Sequence, residues 1–505
     1  MPILRFMLIG GLMLIPTLLQ AQYFPHLSFQ KFFDHTGEDY ARRLLKSRDG
    51  HLILGGNTIF EAENKDCANL WFLKVDTLGE IIWQLEVPRK GCEELRDMIS
   101  TDDNGILFTG ITNGQIRHDE KGDRTYWADA FVGKLDAYGR LEWIRNYGGS
   151  RFDQALALAQ GSFDEYLIVG GTHSRDGDLS QNKGMSDLWT LEIDDRGNVR
   201  RSQTIGGKGS EWAQTVSRCA NGDFLIAGLS SSSDFLQSTP LKSREHGFLL
   251  RMRADGQMIW SRNFECPQGG YFSSVKESPN GRILLAGNYI APQSGRDFWF
   301  LRLTSDGKKI QEQLTALPND QWWLRSDICP DSGFVFGGYS RHQAKNQAYA
   351  KGGEDFWVMR TNARGELLWK DTYGGPADEK CVDIIAYAPG VFYALGEKRN
   401  LFKDGNQTYD YWLVRIEEKT SEDIKAEIYV RSEENRINRD TPTRFRARCA
   451  YGERFLWNFG DGTTSTEKNP LKSYRLSGVY DVTLTVFVNE NCKQTVGLGK
   501  ELEVW

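Results

Sequence analysis

The chain has 505 residues and a formal net charge of −6. That length allows two or three domains, or one large repeat fold with an added module. No block of Lys and Arg breaks the acidic balance, which argues against nucleic-acid binding, since that needs clustered cations against phosphate.

At the N-terminus, Arg5 precedes an apolar run over residues 6–19, followed by Gln20-Ala21-Gln22. A basic start, a short apolar core and a small residue at the exit predict a secretory signal peptide over 1–21. Gly10, Gly11 and Pro16 interrupt the run, and it is shorter than the roughly 20 residues a bilayer span needs. No later stretch is long and apolar enough to cross. The expectation is an exported chain with no membrane span after signal removal, placed in the periplasm, at the outer membrane or outside the cell.

Repeats then dominate. The stretch from Asp355 to Trp369 reads as strand, tight turn at Gly365, strand, and copies begin at Asn69, Asp129, Asp187, His246 and Asp297, with a degenerate seventh at Asp410. The turn glycines Gly79, Gly139, Gly197, Gly256, Gly307 and Gly365 are 60, 58, 59, 51 and 58 residues apart. A second marker, an apolar run ending in Gly, keeps the same phase, as in Leu52-Ile-Leu-Gly-Gly56 and Phe334-Val-Phe-Gly-Gly338. Each copy holds four short apolar runs separated mostly by Asp, Asn and Gly, which predicts a four-stranded antiparallel meander.

Such a sheet has two apolar faces and cannot cover both alone. Stacking around an axis buries them and leaves only short edges, so the expected fold is all-β: a seven-bladed β-propeller over 23–418. The seventh copy lacks its fourth strand, and an orphan strand at 27–33 matches that pattern. The N-terminal strand is therefore expected to complete the last blade.

The Trp of the Gly-x-x-x-Trp motif (Trp83, Trp143, Trp260, Trp369) is expected to pack between blades. The motif resembles the tryptophan-docking repeat of quinoprotein-type propellers. A Gly-Gly pair followed by an acid (Gly148-Gly149 to Asp153, Gly206-Gly207 to Glu211, Gly374-Gly375 to Asp378) reads as a turn tie in which a carboxylate accepts backbone N–H bonds. A ring of metal ligands is the sharper alternative; no metal site and no cofactor are expected.

Function is sought where copies diverge. The second-to-third connections, at 57–68, 113–128, 173–186, 230–245, 340–354 and 398–409, are long and variable, and binding residues concentrate in such loops. Trp127, His173, Arg175, Trp322, Trp323 and Arg341 are the candidate binding residues, since aromatics and Arg favour protein or sugar recognition. Asp176-Gly-Asp178 lacks the rest of a calcium loop. No Gly-x-Ser-x-Gly, His-Glu-x-x-His or P-loop occurs, so no catalytic residue is named.

Eight cysteines, at 67, 92, 219, 266, 329, 381, 449 and 492, form no CxxC pair. Cys449 and Cys492 are expected to bridge and Cys67 and Cys92 are the next candidates; the pairing of Cys219, Cys266, Cys329 and Cys381 stays open.

After a polar linker at 419–424, residues 425–505 carry Trp457-Asn-Phe-Gly-Asp-Gly-Thr-Thr, then Pro470, Tyr474 and Gly478-Val-Tyr-Asp-Val-Thr-Leu-Thr-Val486. This resembles the PKD domain, an immunoglobulin-like β-sandwich, which implies an extracellular spacer or interaction module. The family often has Asp where Asn458 stands.

The whole pattern resembles exported Bacteroidota propeller-repeat proteins with PKD domains. Many of those also end in a type IX sorting domain; here residues 502–505 read as the last strand of the sandwich, so the expectation leans to a periplasmic or outer-membrane-associated role over type IX export. The reading is a non-catalytic binding scaffold that recognises an envelope or surface protein or glycan through the long-loop face. A propeller-type carbohydrate-active lyase or hydrolase, with its site on the axis, is the alternative.

Overall fold

The structure, a computed structural model, describes residues 23–505 apart from 36, 60–67, 89–91, 114–115, 119–123, 127, 163, 180, 237–244, 267, 292–294, 316–319, 342–352, 402–406, 433–434 and 490–491. At 92, 113, 116–118, 124–126, 315, 320–324, 341, 401 and 407 it describes backbone only. The signal-peptide segment lies outside the described residues. Two compact units emerge among the described residues: 25–417, and 418–505 together with Tyr23 and Phe24.

The larger unit is a succession of four-stranded antiparallel sheets, with no α-helix among the described residues. The third sheet is representative. Its strands are Asp153–Gln160, Glu165–Thr172, Asp187–Asp194 and Val199–Ile205, paired in chain order. Five more such sheets begin at Glu38–Lys46, Cys92–Ser100, Glu211–Arg218, Gly270–Glu277 and Asp320–Ile328. In the seventh, Glu379–Ala388, Val391–Leu401 and Gln407–Thr420 are joined at the outer edge by Tyr23–Phe33. One connection carries a further hairpin, Ile116–His118 with Arg124–Tyr126.

Burial changes across each sheet and explains the composition of its strands. The third strand of the second sheet, Ala130–Leu135, is buried at every position, whereas the fourth, Leu141–Tyr147, is mostly exposed. The aromatic that starts each repeat is core: Trp71, Phe131, Trp189, Phe248, Trp299, Trp357 and Trp412 are 0–2% exposed. Burying each such ring contributes roughly 1.5–3 kcal/mol or more from apolar area alone.

The repeated Trp has a specific neighbour. Trp83 lies over Gly139, Trp143 over Gly197 and Trp260 over Gly307: each covers the turn glycine of the next repeat. Those turns run at φ of 79°, 77° and 78°, and a Cβ there would fall 2.7–2.9 Å from the indole ring. Glycine is thus required twice over, by backbone conformation and by space. Lys31, on the N-terminal strand, lies over Gly79 and pairs with Glu80 at 2.7 Å.

In the smaller unit, Trp457, Phe459, Tyr474, Val482, Leu484 and Val486 form the centre of a core between short sheets. Trp457 Nε1 donates to Glu467 O (2.9 Å) and Tyr474 OH to Phe459 O (3.0 Å), so both buried polar tips are satisfied. Asn458 Oδ1 accepts the Gly460 N–H (3.0 Å), a turn role. The segment read as a linker is ordered: the strand continues to Thr420, a 3₁₀ turn covers Ser421–Ile424, and Ile424 is fully buried.

The expected Cys449–Cys492 bridge is not formed. Both residues are thiols: Cys449 Sγ turns over Gly452, while Cys492 is buried in the core, where loss of water raises its thiol. Cys219, Cys266, Cys329 and Cys381 are buried thiols as well. Cys67 and the Cys92 side chain lie outside the described residues.

Candidate functional site

The first strand of every sheet carries a register break at the same place. The extra residue is Arg42, Arg96, Leu156, Gln214, Ser273 and Val382 in six of them, and the sixth sheet breaks between Trp322 and Arg325. A bulge re-aims its side chain. Here Arg42, Arg96, Leu156, Gln214 and Val382 all turn into one cavity of about 250 Å³, which Arg325, Tyr40, Tyr339, Lys380 and Glu397 also line. Its wall is built from the N-terminal halves of the first strands. Glu38 pairs with Ile59, so those halves lie at the end of the sheets where the long second-to-third connections emerge. A second cavity, of about 380 Å³, is lined from the other end of the same strands by residues such as Ser100, Gln160 and Lys276. Arg325 borders both.

Charge in the upper cavity is uneven: its lining holds four cations, Arg42, Arg96, Arg325 and Lys380, and one carboxylate, Glu397. Arg42 reaches Glu397 at 3.0 Å and Glu94 at 3.5 Å, Arg96 reaches Glu94 at 3.0 Å and Lys380 reaches Glu354 at 3.0 Å. Burial raises Glu397, although Arg42 and Lys380 pull the other way. For Lys380 burial favours the neutral amine, yet Glu397 and Glu354 outweigh it and hold the ammonium. Burial lowers both Arg96 and Arg325 from the usual guanidinium range, and for Arg325 the Arg43 charge adds to the effect. Among the described residues, Arg325 donates a long hydrogen bond to Ser273 O at 3.5 Å. Tyr40 donates to Glu38 Oε2 at 2.6 Å, and Lys380 Nζ lies 5.6 Å from the Tyr339 ring.

The carboxylates below this level are structural. Asp97 and Asp383 flank Arg43 at 2.6 and 2.8 Å. Asp97 also accepts Leu158 N (2.9 Å), Asp383 accepts Leu44 N (2.8 Å) and Asp327 accepts Ala386 N (3.0 Å), each from a neighbouring sheet.

Of the residues expected to bind, His173 is half-buried between Phe152 (5.8 Å) and Trp212 (5.6 Å), and burial lowers its pKa. Its ring packs against both. Arg175 is exposed beside it. Asp176 and Asp178 are occupied by backbone: Ser150 N donates to Asp176 at 2.7 Å and Gly148 N to Asp178 at 3.0 Å. Trp127 and the side chains of Trp322, Trp323 and Arg341 lie outside the described residues. Sequence reasoning missed Arg42, Arg96, Arg325, Tyr339, Lys380 and Glu397. No sequence signal marked them: the first strands carry charges at several positions, as in Cys92-Glu-Glu-Leu-Arg-Asp-Met-Ile-Ser100, and the bulge position is Leu, Gln, Ser or Val in other sheets.

The PKD domain family model matches residues 428–498. Collagenase ColA of Bacillus cereus is 66% identical over 32 residues, which are 6% of this chain and 3% of that protein, so the chain spans only a small part of that relative. Among solved structures, a protein of unknown function from Dyadobacter fermentans aligns over 78% of this chain and 99% of its own, at 11% identity and a TM-score of 0.46. The WD40 domain of Neurospora crassa Pan2 aligns over 78% and 96%, at 9% identity and a TM-score of 0.45.

Proposed function

We propose that the chain is an exported, non-catalytic binding scaffold of the Bacteroidota propeller-plus-PKD kind. Its seven sheets form one ring closed by the strand at 23–33, and it holds an acidic group of a protein or glycan in the axial cavity reached from the long-loop face. The PKD unit acts as spacer or docking module. The observation that carries this is the lining of four cations against one carboxylate in a chain whose net charge is −6. A half-buried guanidinium such as Arg325, which reaches Ser273 O only at 3.5 Å, is costly to hold, and an incoming carboxylate or sulfate would relieve that cost through bidentate contacts.

Calorimetric titration with uronate-bearing or sulfated oligosaccharides, and with acidic peptides, tests it. Arg96→Gln with Arg325→Gln should weaken binding by about 10–100-fold, the scale of one or two charge-assisted hydrogen bonds, while Tm holds or rises. No binding by any acidic ligand, or equal binding by the double variant, would sink the reading.

The enzyme alternative draws on one observation: Glu397, pushed toward its protonated form, shares the cavity with Tyr40, Tyr339 and Arg42. That set suits acid–base chemistry on a glycan. If it holds, Glu397→Gln abolishes product release and leaves affinity intact.

A further inference from the structure

Between adjacent sheets, an acid at the start of one first strand ties down the turn that precedes it, and in two places this tie is complete. Asp153 accepts Gly149 N (2.7 Å), Ser174 Oγ (2.7 Å) and the Thr172 hydroxyl. Glu211 accepts Gly207 N (2.8 Å), Ser230 Oγ (2.8 Å) and Ser232 Oγ (2.5 Å). The residue before the tied amide is glycine, Gly148 or Gly206, and a Cβ there would fall 2.1–2.6 Å from a carboxylate oxygen.

Where the first and seventh sheets meet, the same positions are filled differently. Asp39 takes the place of Asp153, and His35 N donates to it at 2.7 Å. The position of Gly148 is held by Asp34, so a third carboxylate enters where the other sites have no side chain. Phe60 replaces Ser174 and Ser232 in the sequence, which removes a hydroxyl donor. Thr58 keeps the register of Thr172 and still favours the charged form of Asp39, but its hydroxyl falls short of full hydrogen-bond geometry. Asp410 comes in from the third strand of the seventh sheet, with Asn400 Nδ2 donating to its Oδ2 at 2.5 Å.

The result is three carboxylates with one oxygen each inside a 4.8 Å sphere of mutual distance. Asp39 is 0% exposed and Asp410 9%, and Oδ1 of each has no partner of full hydrogen-bond geometry among the described residues. We propose that Asp34, Asp39 and Asp410 bind a divalent cation of the calcium class at the junction of the first and seventh sheets. Only oxygen donors converge, which suits a hard ion and leaves thiol- or imidazole-seeking metals unserved. Three carboxylates this close repel one another, and a bound cation removes that repulsion. The ion would join the outer strand's exit, the first sheet and the last sheet, so it would act on stability and not on the axial cavity.

The test uses the full chain, stripped with EDTA and titrated with CaCl₂, read by thermal melting, and with Tb³⁺, read by luminescence. Tyr411 follows Asp410 in the chain and feels the Asp39 charge, and its ring lies 4.6 Å from that of Trp71 at a 45° tilt, so the pair can sensitise Tb³⁺. Calcium should raise Tm by a few degrees at a hundredfold excess over Kd. Asp34→Asn, at an exposed residue, should keep the metal-free Tm and lose at least tenfold in Tb³⁺ affinity. Asp39→Asn should remove the response while holding or raising the metal-free Tm. An unchanged wild-type Tm means that the acids share a proton instead, and overturns the proposal; so does a calcium or Tb³⁺ response that persists in Asp39→Asn with Asp410→Asn.

Discussion

His246 occupies the position that is Asp129, Asp187, Asp297 and Asp355 in other repeats, and it is fully buried with neither ring nitrogen bonded among the described residues. Burial lowers its pKa from 6.5 to about 4, only partly countered by Glu265. The unfolded chain therefore takes up the proton before the folded one. This residue costs nothing in charge above pH 6.5 and destabilises progressively as pH falls from there to about 4, by about 2 kcal/mol at pH 5. His246→Leu should flatten the fall in Tm between pH 7 and 5; an unchanged slope would place the acid sensitivity elsewhere. Cys449 offers a second test at this scale. Being half-buried, it should react with a thiol reagent in the native protein well before buried Cys219, Cys266 and Cys381. The turn-tying role of Asp153 and Glu211 was legible from Gly-Gly spacing, because a carboxylate four residues past a turn has few other uses. The buried His was not, since replacing Asp by His leaves the strand pattern intact.

At the level of strands, period and polarity made the four-stranded unit readable: turns recur with glycine, and apolar runs are short. The bulge in each first strand was not readable, because one inserted residue looks like ordinary alternation until its partner strand is known. That is why the cations of the cavity went unassigned while loop aromatics were favoured. The strand Tyr23–Phe33 shows how much one edge element can carry. Phe33 is 4% exposed within a core shared by the first and seventh sheets, Ser28 Oγ donates to Arg415 O (3.1 Å), and Trp412 Nε1 donates to Gln30 (3.1 Å). Phe33→Ala should cost about 3–5 kcal/mol, measured by urea denaturation. A loss below about 1 kcal/mol would mean that this strand is detachable in solution.

For the molecule as a whole, the sequence foresaw a large repeat unit and a PKD module, and the family match at 428–498 agrees with the second. It placed binding on the loop rim. The structure draws attention inward, to a cavity that forms only when the first strands of most sheets are assembled together. No described helix is long and apolar enough to cross a membrane. The division of labour that results is testable by parts: ligand affinity should follow Arg96 and Arg325, whereas thermal stability should follow Asp39, Asp410 and Phe33, and the two sets should not influence one another.

The pairing of Ser28 with Arg415 spans 387 residues. At a synthesis rate of about 5–20 residues per second, roughly 20–80 seconds pass between the appearance of the two. Throughout that interval the seventh sheet does not yet exist and the strand at 23–33 has no bed to lie in. The nascent polypeptide would be most open to proteases and sticky encounters then, and a ribosome pause before residue 417 should lengthen that vulnerable stage far more than one placed after it.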